Sequence, residues 1–160
     1  MSRLVTVIPV YNGERFLRAT LESVAAQTRR PDRVIIQDNC STDGTAAIAK
    51  EFESEGFEWC LNEAHVSSTK NFNAALQFAS EADVLHLLTA DDLVAPGFYD
   101  RLLDPLESID GRALAYAAYE VIDENGALVQ GGDLVNPFPI EPNGQSRRIA
   151  RERFIASQAD

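Results

Sequence analysis

Two adjacent acidic residues, Asp91 and Asp92, follow an apolar run with the composition of a buried strand and come shortly before a proline. In an open α/β sheet, residues just after a strand lie at the carboxyl edge, where ligands bind. Carboxylate oxygens there suit Mg²⁺ or Mn²⁺, for which bound phosphates supply further ligands. The pair predicts a metal-assisted phosphate site, with the alternative that one aspartate caps the next helix and the other is solvated.

Two earlier apolar runs also end in polar residues. Tyr11 and Asn12 follow the first, where the ring could stack on a base and the amide could hydrogen-bond its edge. Asp38 and Asn39 follow the second, where they could bond a base or ribose. The alternatives are a tyrosine packed on the first helix and a turn in which residues 41–43 cap the second helix.

Other charged and basic side chains carry weaker predictions. Lys70 lies at the start of a predicted helix, where a cation is disfavoured unless an anion such as a diphosphate is near; the alternative is a solvated lysine. His86 lies within an apolar run and is predicted to be a core residue, whereas His65 in a polar loop has a slight claim to catalysis. A basic cluster could contact phosphate or an acidic acceptor, or form a solvated helix face: Arg147, Arg148, Arg151 and Arg153.

The pattern that must position these residues is an alternation of strands and helices. Predicted strands cover residues 4–10, 34–36, 57–61 and 84–88, and predicted helices cover residues 14–27, 45–55, 67–78 and 96–109. This order implies βαβ units and a mainly parallel sheet flanked by helices, the α/β class. After residue 112 the pattern changes to a hairpin, 113–122 and 127–129 around Asn125-Gly126, then a loop over 131–146 and a helix from Arg147.

Composition narrows the classes of function. The chain of 160 residues fits one domain, with a ligand-binding part over 1–112 and a hairpin, lid-like loop and helix over 113–160. A formal charge of -11 argues against nucleic acid as a partner. Two cysteines without partners at zinc spacing favour a reducing, cytoplasmic compartment. No run approaches the roughly 20 apolar residues of a transmembrane helix.

In combination, these segments resemble the family 2 glycosyltransferases, whose nucleotide-sugar-binding part has a Rossmann-like GT-A fold. The resemblance covers about residues 4 to 110, and its parts follow in the family's order. They are Val7-Ile8-Pro9-Val10-Tyr11-Asn12, Leu21-Glu22-Ser23-Val24 with Gln27, Asp38-Asn39 with the segment 41–45, Lys70-Asn71, and Thr89-Ala90-Asp91-Asp92 with Pro96.

The resemblance implies an inverting transfer of a sugar from a nucleotide-diphosphate donor to an acceptor hydroxyl, with help from Mn²⁺ or Mg²⁺, and a UDP-sugar is the donor expected. It implies work at the cytoplasmic side, with the enzyme at most peripheral to the membrane, and an acceptor that is a saccharide, a lipid-linked sugar or a protein. By the resemblance Asp91 binds the metal, Asp92 shapes the sugar site, and Lys70 lies near the nucleotide. The residues implied to hold the nucleoside are Pro9, Tyr11, Asp38 and Asn39.

Two departures from the family pattern bear on function. Thr89 stands where the family often has an aspartate. The family's catalytic base is an aspartate often preceded by glutamate, and no Glu-Asp pair is found in the sequence up to residue 160. Asp133 and Glu141 are candidates for the base only in the weakest sense. A non-catalytic nucleotide-sugar-binding module, or a fragment that binds donor without transfer, is therefore the alternative. A nicotinamide-dependent oxidoreductase is disfavoured because no G-x-G-x-x-G turn follows the first strand.

Overall fold

The computed structural model describes residues 2–106 and 120–129. The chain divides into two compact units, Met1–Leu114 and Ala115–Asp160. The first contains a four-stranded parallel sheet in the order β3-β2-β1-β4. Its strands are β1 (Leu4–Val10), β2 (Arg33–Asp38), β3 (Glu58–Leu61) and β4 (Val84–Leu87). Its helices are α1 (Leu17–Ala25), α2 (Thr45–Glu51), α3 (Ser68–Ala75) and α4 (Phe98–Leu106), and 3₁₀ turns follow α2 at Phe52–Glu55 and α3 at Leu76–Glu81.

The strand order confirms the predicted α/β fold and fixes where a ligand can bind. All seven residues of β1 are buried, and β1 pairs with β2 on one side and β4 on the other. Its near-continuous apolar sequence is typical of a parallel strand covered on both faces. Because the chain runs outward from β1 to β3 and then returns to place β4 on the other side, the switch point of the sheet lies between β1 and β4.

Two predicted helix starts differ from the structure. α1 begins at Leu17 rather than Glu14, because Glu14 forms part of a turn and its carboxylate accepts the Gly44 N–H at 3.0 Å. α4 begins at Phe98 rather than Pro96, because Gly97 has a φ of 70° and interrupts helical geometry there.

In the second unit, the structure describes residues 120–129 as an antiparallel pairing of Ile122 with Leu128. Gly126 supplies the positive φ, 80°, while the Asp123 carboxylate accepts the N–H groups of Asn125 and Ala127. The remaining predictions beyond Leu106 lie outside the described residues: the helix end at 107–109, the strand over 113–119, the loop over 131–146, the helix from 147, the arginine cluster, Asp133 and Glu141.

A polar cluster beneath the sheet joins β1, β4 and α4. The Tyr99 hydroxyl lies 3.0 Å from Thr6 Oγ1 and 3.2 Å from His86 Nδ1, and Thr6 and Tyr99 are fully buried. Burial lowers the pKa of His86 to about 4 and raises the pKa of Tyr99 to about 12. His86 is therefore partly buried and hydrogen-bonded at the edge of the core, in a structural position away from the cleft described below.

Acid should weaken the fold through this histidine. His86 stays neutral in the folded protein down to about pH 4, whereas an unfolded histidine takes up its proton near pH 6.5. The free energy of unfolding should therefore fall by up to about 3 kcal/mol between pH 6.5 and pH 4 on account of His86. Urea unfolding across that range should show a shallower pH dependence in His86→Gln; equal slopes in the two proteins would contradict this.

Candidate donor site

An open cleft with a volume of about 660 Å³ lies at the carboxyl ends of β1 and β4, the switch point of the sheet. Its lining comes from four parts of the first unit: residues 9–13 with Phe16, the residue Asn39, residues 65–68 with 71 and 72, and residues 89–91. The volume falls in the range of small-molecule sites, about 300–1,000 Å³. The cleft is therefore large enough for a nucleotide.

Hydrogen bonds join the loop after β1 to the loop after β2. The Asn12 N–H donates to Ser41 Oγ at 2.9 Å, and the Thr42 N–H donates back to Asn12 Oδ1 at 2.8 Å. The Gly13 N–H donates to Thr45 Oγ1 at 2.8 Å. These bonds hold the floor of the cleft in one arrangement, and they occupy the Asn12 side-chain oxygen that could otherwise have met a base.

The close approach at Gly13 makes this loop sensitive to substitution. A Cβ at Gly13 would lie 2.6 Å from Cγ2 of Val10, a buried β-branched side chain at the end of β1. We expect Gly13→Ala to lower the free energy of unfolding by about 1–3 kcal/mol, because that contact forces the strand end or the loop to shift. Thermal unfolding tests this, with Gly56→Ala as a comparison in which no atom meets the added Cβ but φ is 85°. A Gly13 variant as stable as the parent would contradict it.

Aromatic side chains form one rim of the cleft. The rings of Tyr11 and His65 lie 4.4 Å apart between centroids, tilted by 46°, and Tyr11 is 50% exposed. His65 Nδ1 lies 3.1 Å from the Asn39 carbonyl oxygen. Because a carbonyl only accepts hydrogen bonds, this contact assigns the ring proton to Nδ1 and leaves Nε2 as an acceptor in the neutral ring.

A network of carboxamides supports the wall of the cleft. Asn39, 2% exposed, accepts the Val66 N–H at 2.9 Å and donates to the Val66 carbonyl at 2.7 Å. Asn62 donates to Asn39 Oδ1 at 3.0 Å and to Asn71 Oδ1 at 2.9 Å, and Gln37 donates to Asn62. The supporting role of Gln37, Asn62 and Asn71 was not predicted from the sequence. Their positions could have indicated it, because Gln37 and Asn62 lie at the ends of β2 and β3 and Asn71 lies in the first turns of α3.

The predicted nucleoside residue Asp38 does not line the cleft. Its side chain is fully buried, where one carboxyl oxygen accepts the Ser41 N–H at 2.9 Å and the other accepts the Trp59 indole N–H at 3.3 Å. Asp38 therefore shapes the loop after β2 from within. The alternative interpretation of this segment holds in part: Asp43 Oδ1 accepts the Thr45 N–H at 3.0 Å just before α2, but the N-cap of that helix is Gly44, which follows residues 41–43.

Lys70 and Asp92 also lie off the cleft lining. Lys70 is exposed in the first turn of α3, where its N–H donates to the Ser67 side chain at 3.4 Å. The Asp92 carboxylate accepts a hydrogen bond from the Thr89 hydroxyl. Of the predicted site residues, the structure brings Pro9, Tyr11, Asn39 and Asp91 together on the cleft lining.

Asp91 has the properties that a metal ligand needs. Its side chain is exposed on the cleft, and within residues 2–106 it makes no hydrogen bond or ion pair. The described residues contain no group of three or more His, Cys, Asp or Glu side chains that could hold a metal ion. A single available carboxylate fits a divalent cation that takes its other ligands from a bound diphosphate and water.

Two solved structures share this fold. TarS 1–349 of Staphylococcus aureus in complex with UDP aligns with a TM-score of 0.56 and 22% identity, covering 75% of this chain and 41% of that TarS chain. Glucosyl-3-phosphoglycerate synthase of Mycobacterium tuberculosis, solved with Mn²⁺, UDP and glucosyl-3-phosphoglycerate, aligns with a TM-score of 0.51 and 19% identity, covering 67% and 40%. The fold is the Rossmann-like GT-A fold of glycosyltransferases.

The chain belongs to glycosyl transferase family 2, whose model matches residues 5–156. A glycosyltransferase of Rickettsia typhi is 26% identical over 119 residues, which are 74% of this chain and 36% of the relative. WfgD of Escherichia coli, a UDP-Glc:alpha-D-GlcNAc-diphosphoundecaprenol beta-1,3-glucosyltransferase, is 28% identical over 141 residues, 88% of this chain and 54% of the relative. The chain thus spans between a third and about half of the length of these relatives.

No helix within residues 2–106 and 120–129 has the length and apolar character to cross a membrane.

Proposed function

We propose that this chain is the donor-binding part of an inverting glycosyltransferase that takes a UDP-sugar and uses a divalent cation. The observation that carries the proposal is the carboxylate of Asp91, which has no hydrogen-bond or ion-pair partner within residues 2–106 and lies on the lining of a cleft at the switch point of a parallel sheet. An aromatic side chain, Tyr11, lines the same cleft and offers a surface for a base.

In this proposal the nucleoside lies against the ends of β1 and β2. Pro9 and Tyr11 contact the base, and Asn39 holds the wall beside them through its bonds to Val66. His65 extends the aromatic surface of Tyr11 with an acceptor nitrogen available at its edge. Asp38 acts from beneath, since its carboxyl fixes the loop after β2.

The diphosphate lies toward the end of β4. A bound divalent cation would offset the charge that develops on the leaving diphosphate. Asp91 would hold that cation with one carboxylate, and Lys70 would reach the diphosphate from the first turn of α3 by its long side chain. Asp92, held by the Thr89 hydroxyl, would shape the sugar end of the site.

In the transfer step, the acceptor oxygen forms a bond to the anomeric carbon from the face opposite the diphosphate, and the bond from that carbon to the diphosphate oxygen breaks. A carboxylate base takes the proton of the acceptor hydroxyl, and the electron pair of the broken bond leaves with UDP. None of the residues on the described cleft is assigned as that base, and Asp133 and Glu141 lie outside the described residues. Donor binding without transfer is therefore the second candidate function. The chain spans 54% of the length of WfgD and 36% of that of the Rickettsia typhi relative.

The acceptor and the cell compartment belong to the same proposal. A lipid-diphosphate-linked saccharide is the acceptor that the name of the E. coli relative supports. Cys40 and Cys60 are both free thiols, which supports action on the cytoplasmic side, where thiols stay reduced. Association with the inner face of the membrane would then bring donor and acceptor together.

Turnover with labelled donors tests the proposal. The chain is incubated with Mn²⁺ and UDP-glucose, UDP-GlcNAc or UDP-galactose, with and without a lipid-diphosphate-linked GlcNAc, and released UDP and the product anomer are measured. Acceptor-dependent release with an inverted anomer is the expected result. UDP binding without any release would favour the donor-binding module, and the absence of both would contradict the proposal.

A further inference from the structure

The loop that carries Asp91 is held by a buried glutamine, Gln27, which lies two residues beyond the end of α1. Gln27 is 6% exposed, and its Nε2 donates to the Ala95 carbonyl at 3.0 Å and the Ser23 carbonyl at 3.1 Å, with the Val94 carbonyl at 3.4 Å. Its Oε1 accepts the Phe98 N–H at 3.0 Å. One side chain thus bonds the backbone on both sides of Gly97, about 70 residues away in sequence.

Two side chains of α1 itself also form hydrogen bonds with this loop. Thr20, fully buried, donates from Oγ1 to the Ala90 carbonyl at 2.9 Å, next to Asp91. Ser23 Oγ accepts the Val94 N–H at 3.2 Å. Thr20 and Ser23 lie three positions apart on α1, so their side chains share one face of the helix, and Gln27 follows two residues after the helix ends. Together the three side chains fix the backbone at 90, 94, 95 and 98.

The segment between β4 and α4 needs such partners. Its residues 88–97 form neither helix nor strand, so their backbone groups must be satisfied by other means. The bonds from α1 and Gln27 supply a fixed frame around Asp91 and Asp92, whose own side chains form no hydrogen bond with α1 or Gln27 among the described residues. The frame therefore sets where the Asp91 carboxylate lies without a bond to it.

We propose that Gln27, with Thr20, is a positioning residue for the metal-binding loop, so that it sets how much a divalent cation strengthens UDP binding. The inference rests on the proposed function, because it concerns the same carboxylate. Ligand groups must be held within about 0.5 Å of their productive positions, and residues behind a ligand change metal affinity by about 10–100-fold. A purely structural role for Gln27 would lower stability and leave the cation's effect on UDP unchanged.

The test compares Gln27→Met, which keeps the length and removes the hydrogen bonds, with Thr20→Val, which acts at the other end of the loop. Val34→Ala, a core substitution in β2, controls for lost stability. Calorimetric titration gives the UDP Kd with and without Mn²⁺, and amide hydrogen exchange reports on Val94 and Phe98. In both variants, the factor by which Mn²⁺ raises the UDP affinity should be about tenfold smaller than in the parent. The UDP affinity without metal should stay within about twofold of the parent. Exchange at Val94 and Phe98 should quicken in Gln27→Met.

Three results overturn the inference. Quicker exchange with an unchanged gain from Mn²⁺ would show that the bonds stabilise the loop and do not position the ligand, and it would leave the proposed function standing. An equal loss in Val34→Ala would assign the effect to stability. A parent protein whose UDP affinity does not respond to Mn²⁺ would reject the proposed metal site and this inference with it.

Discussion

Asp91→Asn removes most of the effect of Mn²⁺ on UDP binding. The substitution keeps the size of the side chain and its place on the cleft but removes the negative charge that a hard cation needs. We expect a loss of at least about tenfold in UDP affinity in the presence of Mn²⁺, since even residues behind a metal ligand produce losses of that size. In the absence of metal, UDP should bind the variant and the parent with similar affinity. Calorimetric titration of UDP into both proteins measures the two affinities.

A matched substitution distinguishes a role of Asp91 as a metal ligand from an effect of the net charge of the chain. Asp104→Asn makes the same chemical change at an exposed position of α4. It should leave the Mn²⁺-dependent affinity within about twofold of the parent, because exposed charges act weakly over distance in salt. Equal losses in the two variants would mean that Asp91 acts only through the net charge and is no ligand.

Asn39→Ala destabilises the fold and opens the wall of the cleft. The alanine leaves the Val66 N–H, the Val66 carbonyl and the Asn62 amide without the partners that Asn39 gives them. A fully buried polar group that loses its partner costs about 1–3 kcal/mol, but these three groups are only part-buried, so water can replace some of the lost bonds. We therefore expect the free energy of unfolding to fall by about 2–4 kcal/mol in total. UDP affinity should fall as well, because Val66 and His65 line the cleft.

Urea unfolding of Asn39→Ala against Asn73→Ala tests this claim. Asn73 is exposed on α3, so its variant should stay within about 0.5 kcal/mol of the parent. Asn39→Asp adds a sharper comparison, because a carboxylate can accept the Val66 N–H but cannot donate to the Val66 carbonyl. A stable Asn39→Ala protein with parental UDP affinity would show that water replaces the network at no cost.

The sequence predicts the sheet well because each strand can be identified from its own residues. β1 is a near-continuous apolar run with β-branched residues, and polar residues follow it at once. Since carboxyl ends of parallel strands meet at one edge, placing Tyr11, Asn39 and Asp91 near one another needs only the strand ends and the topology. The cleft lining contains all three.

Side-chain roles within that edge could not be predicted, because they depend on partners distant in sequence. Asp38 and Asn39 follow the same strand, yet Asp38 is directed inward to Trp59 and Asn39 bonds Val66. The partner of Gln27 at Phe98 is 71 residues away, so the local sequence around Gln27 gave no sign of the bond. Glu14 likewise leaves the predicted helix because Gly44 offers a better partner for its carboxylate.

The most direct test of the account is the titration of UDP into the parent chain with Mn²⁺ and then with a metal chelator. We expect UDP to bind in the cleft and its affinity to weaken by at least about tenfold when the metal is removed. We also expect chemical-shift changes at Tyr11, Asn39 and Asp91 when UDP is added to isotope-labelled protein. UDP affinity that is the same with and without metal, or shifts confined to residues away from these three, would contradict the assignment of the donor site.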